Sequence, residues 1–374
     1  MRTRALGIVG SMLLGAALAA CSGPTPAAPS ASPPSAPTSS SPAAAASPAR
    51  TSTSASASAS PAASQPAAAS SGASGGGQLG MIFEVNNRGW QSITGSPAVP
   101  GMVVALVIPG QPGAKAGLIQ GDVITTMNGI ATRNANIANR VIRGLKVGDT
   151  VTLSVARQRS MASSGLAKVD VTVGAPRKVD LVALLNELIS QRATDPSAYF
   201  LRGAYSGESA ASQAADFSKA IRLNANFVSA YVERATLEEH SASTQSFKDF
   251  QKALGLDAGY EPAYVNRGVL YASQKDYTHA LQDYAKAVSL DPSDPAAYAN
   301  LGIATVAKGN FQQAMKDENQ AIRLDPQFGP ALLYRGLLHQ EEAVVDFRNA
   351  SRFATDTTVK TTANSELQKI SAPA

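Results

Sequence analysis

The chain has 374 residues, a formal net charge of +5, 44% hydrophobic residues, one cysteine and three histidines. The single cysteine excludes any intramolecular disulfide, and the three histidines lie far apart at 240, 279 and 339. Charge is divided unevenly: residues 78–178 hold 11 Lys and Arg against 4 Asp and Glu, whereas residues 179–374 hold 18 against 23.

At the N-terminus, Arg2 and Arg4 precede an apolar run from Ala5 to Ala20. The run is too short to span a bilayer comfortably and has the form of a secretory signal. It ends in Leu18-Ala19-Ala20-Cys21, which resembles the bacterial lipobox. That resemblance implies a lipoprotein signal peptide over residues 1–20, cleavage before Cys21 and lipidation of its thiol. Two acyl chains on one residue anchor stably, since each buried methylene adds about 0.8 kcal/mol. The implied location is a cell membrane, facing out of the cytoplasm (periplasm or cell surface). The rival reading is an ordinary secretory signal with a chance cysteine. From Ser22 to Gly77 the chain is almost wholly Ala, Ser, Pro, Thr and Gly, with Arg50 its only charge. Such a composition cannot bury enough apolar surface to offset the entropy of ordering, so residues 21–77 read as a disordered tether. As a flexible coil it would reach about 40 Å. What remains suits two domains rather than one core.

Residues 78–178 read as a compact β-rich module. Val103 to Ile108 is a continuous apolar strand closed by Pro109-Gly110, Val123 to Met127 runs into the turn Asn128-Gly129, and Thr150 to Ala156 alternates. Asn134 to Gly144 is the helical stretch, with Ile137 and Val141 at i and i+4. The segments GMVVALVIPGQPGAKAGLIQGDVITTMNG and GLKVGDTVTLSVAR resemble the PDZ domain as found in bacterial high-temperature-requirement envelope proteases. The resemblance implies that Leu79-Gly80-Met81 presents backbone N–H groups to a peptide's terminal carboxylate. It further implies that the peptide adds as a strand beside the helix. By the same carry-over, Met81, Phe83, Ile137 and Val141 would line the pocket for the last side chain. The segment from Glu84 to Pro100, holding the only tryptophan, Trp90, departs from the family, and one reading has it cover the groove. Arg133, Arg140, Arg143 and Lys146 crowd the helix and its end. Either they keep the surface soluble or they attract acidic tails, anionic polymers or headgroups; Arg140 and Arg143 would tune acidic preference.

Residues 179–374 carry an internal repeat. Tyr264, Gly268, Tyr271, Ala280, Tyr284, Ala287 and Pro292 are followed by Tyr298, Gly302, Thr305, Ala314, Glu318, Ala321 and Pro326. The spacing resembles the tetratricopeptide repeat, an all-α solenoid of helix pairs whose usual role is a binding surface. Weaker copies surround Tyr199, Gly203 and Phe217, Tyr231, Ala235 and Phe250, and Gly336 and Phe347, giving about four to five repeats. Asp180 to Arg192 reads as a lead-in helix and Thr357 to Ile370 as a terminal cap. Asn266 and Asn300 fall two residues after Tyr264 and Tyr298, at a clamp-like position of the concave groove, but without basic companions. Two readings stand for them: contact with a peptide backbone, or exposed polar residues.

No catalytic constellation is legible. Gly75 to Gly80 formally matches GxGxxG, yet it follows the tether instead of a strand. HExxH, GxSxG and SxxK are absent, so no catalytic residue, metal or cofactor is expected. Basic residues are not interleaved with aromatics, so no nucleic-acid partner is expected either. The sequence therefore predicts a multidomain chain: a disordered tether, an α+β PDZ module and an all-α array. As a membrane-anchored adaptor it would bind protein C-termini or extended peptides through one module and a second protein through the other. The alternative is a regulatory or substrate-delivery subunit of an envelope protease, which needs the same parts.

Overall fold

The β module begins with β1 (Met81–Val85), followed by helix α1 (Arg88–Thr94), β2 (Met102–Val107) and the short helix α2 (Pro112–Lys115). β3 (Val123–Met127), β4 (Ile130–Ala131), α3 (Ala135–Arg143), β5 (Thr150–Ala156) and β6 (Ala167–Thr172) complete it. These elements come from a computed structural model that describes residues 79–371 apart from 158–165, 176–178, 208, 238–243 and 339–342. The apolar leader, Cys21 and the tether lie outside the described residues. The strands form one antiparallel sheet in the order β1-β2-β3-β5-β6, with β4 paired to β3. Asn128 and Gly129, at φ 49° and 79°, supply the tight β3–β4 turn.

Successive strand side chains point to opposite faces, and here both faces are covered. Met81, Phe83, Met102 and Val104 enter the core under α3, together with Ala138, Leu145 and Leu153. Ile82, Val103, Ala105 and Val123 enter a second core built with Leu185, Phe200, Phe217 and Phe227 from the helices. That is why β2 reads as an unbroken apolar run, whereas β5 alternates between buried and partly exposed positions along most of its length.

After the lead-in helix α4 (Leu181–Gln191) come five helix pairs: α5 (Pro196–Tyr205) with α6 (Ala210–Leu223), α7 (Val228–Leu237) with α8 (Thr244–Leu256), α9 (Glu261–Ser273) with α10 (Tyr277–Leu290), α11 (Pro295–Ala307) with α12 (Phe311–Leu324), and α13 (Gly329–Leu338) with α14 (Ala343–Phe353). α15 (Thr357–Ser371) closes the stack. Within a pair, a small residue of the first helix meets a ring of the second. A Cβ added at Gly203, Gly268 or Gly336 would lie 2.9, 2.6 and 2.8 Å from Phe217, Tyr284 and Phe347 respectively. Four of the five pairs add a buried ionic fork, in which an arginine donates through Nε and Nη2 to one aspartate. The pairs are Arg202–Asp216, Arg234–Asp249, Arg267–Asp283 and Arg335–Asp346, at 2.5–2.9 Å. In the α11–α12 unit Leu301 takes the arginine's place and Glu318 takes the ring's place.

Candidate functional site

The loop ahead of β1 is set by Gly80, whose φ of +70° suits glycine. A Cβ there would fall 2.1 Å from Gln111 Cβ. The Leu79 and Gly80 carbonyls accept from the amides of Gly113 (2.8 Å) and Ile108 (2.9 Å), which fixes the loop against the start of α2. β1 then runs along the end of the sheet: β2 pairs with one edge, no described strand pairs with the other, and α3 packs alongside. A strand-wide edge beside a helix, headed by a glycine turn, is the geometry that strand addition needs.

The expected pocket residues lie around this edge, but inward. Met81 and Phe83 are 1% and 2% exposed and belong to the module's core, and Ile137 is buried as well. Val141 is half-buried against the same core. Met81 folds over Gly113, where a Cβ would sit 2.5 Å from its Cγ and Sδ. The flexible thioether thus fills the space over Gly113.

The segment around Trp90 does not cover this groove. Asn87 caps α1 by accepting from the Gly89 and Trp90 amides, and its Nδ2 donates to Ser229 Oγ at 2.9 Å. Trp90 is fully buried against Phe200 and Phe227, with centroids 5.7 and 5.2 Å away in edge-to-face contact. A Cβ on Gly89 would meet the Val228 amide nitrogen at 2.7 Å, so the two backbones nearly touch. The departure from the PDZ pattern is the docking device that joins the module to the array.

The rest of that seam follows the repeat. Asn224, Asp257, Asp291 and Asp325 each directly follow the second helix of successive pairs, and each reaches the β module. Asn224 Nδ2 donates to Ser92 Oγ (2.9 Å), the Arg88 amide donates to Asp257 (3.2 Å), Asn134 Nδ2 donates to Asp291, and Arg143 donates to Asp325 (3.0 Å). Asn136 Nδ2 adds a bond to Asp294 (2.7 Å), and the Arg140 guanidinium donates to the Leu324 carbonyl. Arg140 and Arg143 are therefore not free to select acidic peptides, because they are turned to the array. The opposite charges of the two regions are partly spent on one another. This ladder was missed from the sequence; its signal was an Asn or Asp recurring every 33 or 34 residues just past a helix end.

Asn266 and Asn300 are 2% and 0% exposed. The reading of exposed polar residues is thus corrected, and neither amide is presented to solvent for a peptide in the concave groove. Among the described residues no group of three or more His, Cys, Asp or Glu is placed to hold a metal, and no helix is long and apolar enough to cross a membrane.

The chain thus pairs two kinds of interaction module, and family models match both. A PDZ domain matches residues 77–171, and tetratricopeptide repeats match residues 262–294 and 295–328. No curated protein matches the sequence. Similar solved structures include yeast Tom70, at 17% identity and TM-score 0.44, covering 52% of this chain and 43% of that one. Another is YrrB, described as a TPR protein with an unusual peptide-binding site, at 18% identity and TM-score 0.36, covering 49% of this chain and 99% of that one. MamA follows at 19% and 0.34, covering 39% of this chain and 87% of that one.

Proposed function

We propose that the protein is a lipid-anchored, extracytoplasmic scaffold. Its PDZ groove takes protein C-termini or extended peptides, and its repeat array docks a second protein. The observation that supports this is the outer edge of β1, left without a described partner strand beside α3 and headed by the Gly80 turn. Peptide main chain would pair with that edge, and the ionised carboxylate would meet the loop at Leu79-Gly80-Met81. Both walls of the groove are held by the array: β1 through Ile82 and Glu84 on its back face, α3 through Asn134, Asn136, Arg140 and Arg143. A groove fixed in this way loses little entropy on binding.

The test is fluorescence polarisation of the full chain against peptides with an apolar last residue, free or amidated. Bonds to an ionised acceptor are about twice as strong as neutral ones, so amidation should weaken binding about tenfold or more. Equal affinities would remove the carboxylate reading. In the same preparations, Cys21→Ser should move the chain out of the membrane fraction or leave it unprocessed, and unchanged partitioning would remove the anchor.

A further inference from the structure

We propose that the outward face of the array's second helices is a basic surface that lays the chain on an anionic lipid bilayer. The inference goes beyond the scaffold reading but rests on its lipid anchor, which brings a bilayer within reach. It starts from how these helices sort their charges. α6, α8, α10, α12 and α14 carry the acids Asp216, Asp249, Asp283, Asp317, Glu318 and Asp346, and every one of them is buried. Four are held in the arginine forks of the first helices. No described acid on the second helices is exposed, whereas Arg222, Lys248, Lys252, Lys286, Lys316 and Arg323 all are. These six share one side. Each stands two residues before, two after or five after the buried side chain of its helix, Phe217, Phe250, Tyr284 or Glu318. At about 3.6 residues per turn, those offsets fall on the opposite side of the helix. None of the six makes an ion pair among the described residues. The array's excess of acids, 23 against 18 Lys and Arg, therefore conceals a positive outer face.

The chemistry of this face fits mobile headgroups better than a folded partner. Protein interfaces centre on aromatic or apolar anchors and are poor in lysine. Here four of the six cations are lysines, and none of the exposed large hydrophobic residues lies on these helices. A lysine ammonium is a compact charge on a flexible stem, suited to headgroups that diffuse past it. The tether supplies proximity, since a coil from Ser22 to Gly77 would reach about 40 Å from Cys21. An acyl anchor and a basic patch act together as membrane signals. Each cation brought near an anionic surface strengthens binding about fivefold.

The test uses the chain from residue 21 onward with Cys21→Ser, which keeps every described residue and carries no lipid. It is sedimented with phosphatidylcholine vesicles, with or without phosphatidylglycerol. Binding should require the anionic lipid and be lost in molar salt, where charges are screened beyond about 3 Å. Lys252→Glu, Lys286→Glu and Lys316→Glu together should weaken it about a hundredfold or more. Lys286→Glu alone should weaken it about fivefold or more, which keeps the test open if the triple variant does not fold. Lys115→Glu, Lys146→Glu and Lys168→Glu, at exposed positions of the β module, change the net charge equally and should leave most of the binding. No binding to the anionic vesicles would overturn the proposal, as would equal loss with either set of substitutions. Capture of polyglutamate but not of vesicles would overturn it too, and would assign the face to an acidic polypeptide. A molar-salt wash strips this contribution from the Cys21→Ser fractionation, so the anchor and the basic face fail separately.

Discussion

Glu84 stands on the face of β1 that meets the repeats, 4% exposed, and its Oε1 accepts the Tyr205 hydroxyl at 2.7 Å. Burial pushes its carboxyl up to about 8 despite that bond, and the neighbouring Glu233 pushes the same way. Glu233 is itself raised to about 7 by burial, and Tyr260 faces the same cluster. An acid raised by folding holds its proton in the folded chain at pH values where the unfolded chain has lost it. Stability therefore falls as pH rises from the ordinary carboxylate range to about 8, and it is level on either side of that window. Glu261, Asp294 and Glu318, also raised by burial, add to the slope. The melting temperature should drop between pH 5 and pH 9. Glu84→Gln keeps an acceptor for Tyr205 but cannot ionise, so it should remove part of that drop, about 5 kcal/mol at most. A melting profile that Glu84→Gln leaves unchanged would mean that this carboxyl is ionised in the folded chain.

Among the elements, the α11–α12 pair breaks the pattern that holds the others. Where Tyr284 lies over Gly268, the carboxyl of Glu318 lies over Gly302, with Oε1 2.6 Å from where a Cβ would be. Glu318 is fully buried, neither of its oxygens has a hydrogen-bond partner among the described residues, and Asp317 beside it keeps Oδ2 unpaired. Replacing an unsatisfied buried carboxyl with a ring removes a desolvation cost and restores the contact made in the other units. Glu318→Phe should therefore stabilise the chain by about 1–3 kcal/mol, which corresponds to a rise of several degrees in melting temperature. A lower melting temperature would show that the space over Gly302 does not admit a ring. The repeats themselves were legible because their signal is local: Tyr264, Gly268 and Tyr284 recur at fixed spacing within one unit. The exchange of Arg for Leu301 was equally visible, but its meaning depends on Asp317, across the helix pair. The seam was not legible, because Asn87 meets Ser229 142 positions away and nothing in either segment alone names the other. The PDZ pocket was read from family spacing, and that spacing does not reveal that Met81 and Phe83 are folded inward. The unbroken apolar run of β2 did carry the information that its sheet is covered on both faces, but it was read as a strand and taken no further.

Across the whole molecule, the PDZ module keeps a core of its own and shares a second with the first repeats, and this sets how the two should unfold. Interfaces between domains are commonly small and polar, so relative motion is the ordinary expectation unless the contact is large and apolar. Here Ile82, Val103, Ala105, Val123 and Trp90 from the module are buried with Phe200, Phe217 and Phe227 from the first repeats. The polar ladder from Asn224 to Asp325 extends the contact over four successive helix ends. Its one ion pair adds little, since the Arg143 side chain is 39% exposed and screened by solvent; the apolar face supplies most of the attachment. Separating the modules would expose that face on both sides, so neither should melt while the other stays folded. Calorimetry of the full chain should show a single transition whose calorimetric and van't Hoff enthalpies agree for the part including the module and the first two helix pairs. The fragment 78–178 alone should bind an apolar dye and aggregate, because the outer faces of β1 and β2 would be bare. Two well-separated transitions, one of them reproduced by a soluble, cooperatively melting fragment 78–178, would mean that the module folds without the array. The array would then not hold the two walls of the groove in place.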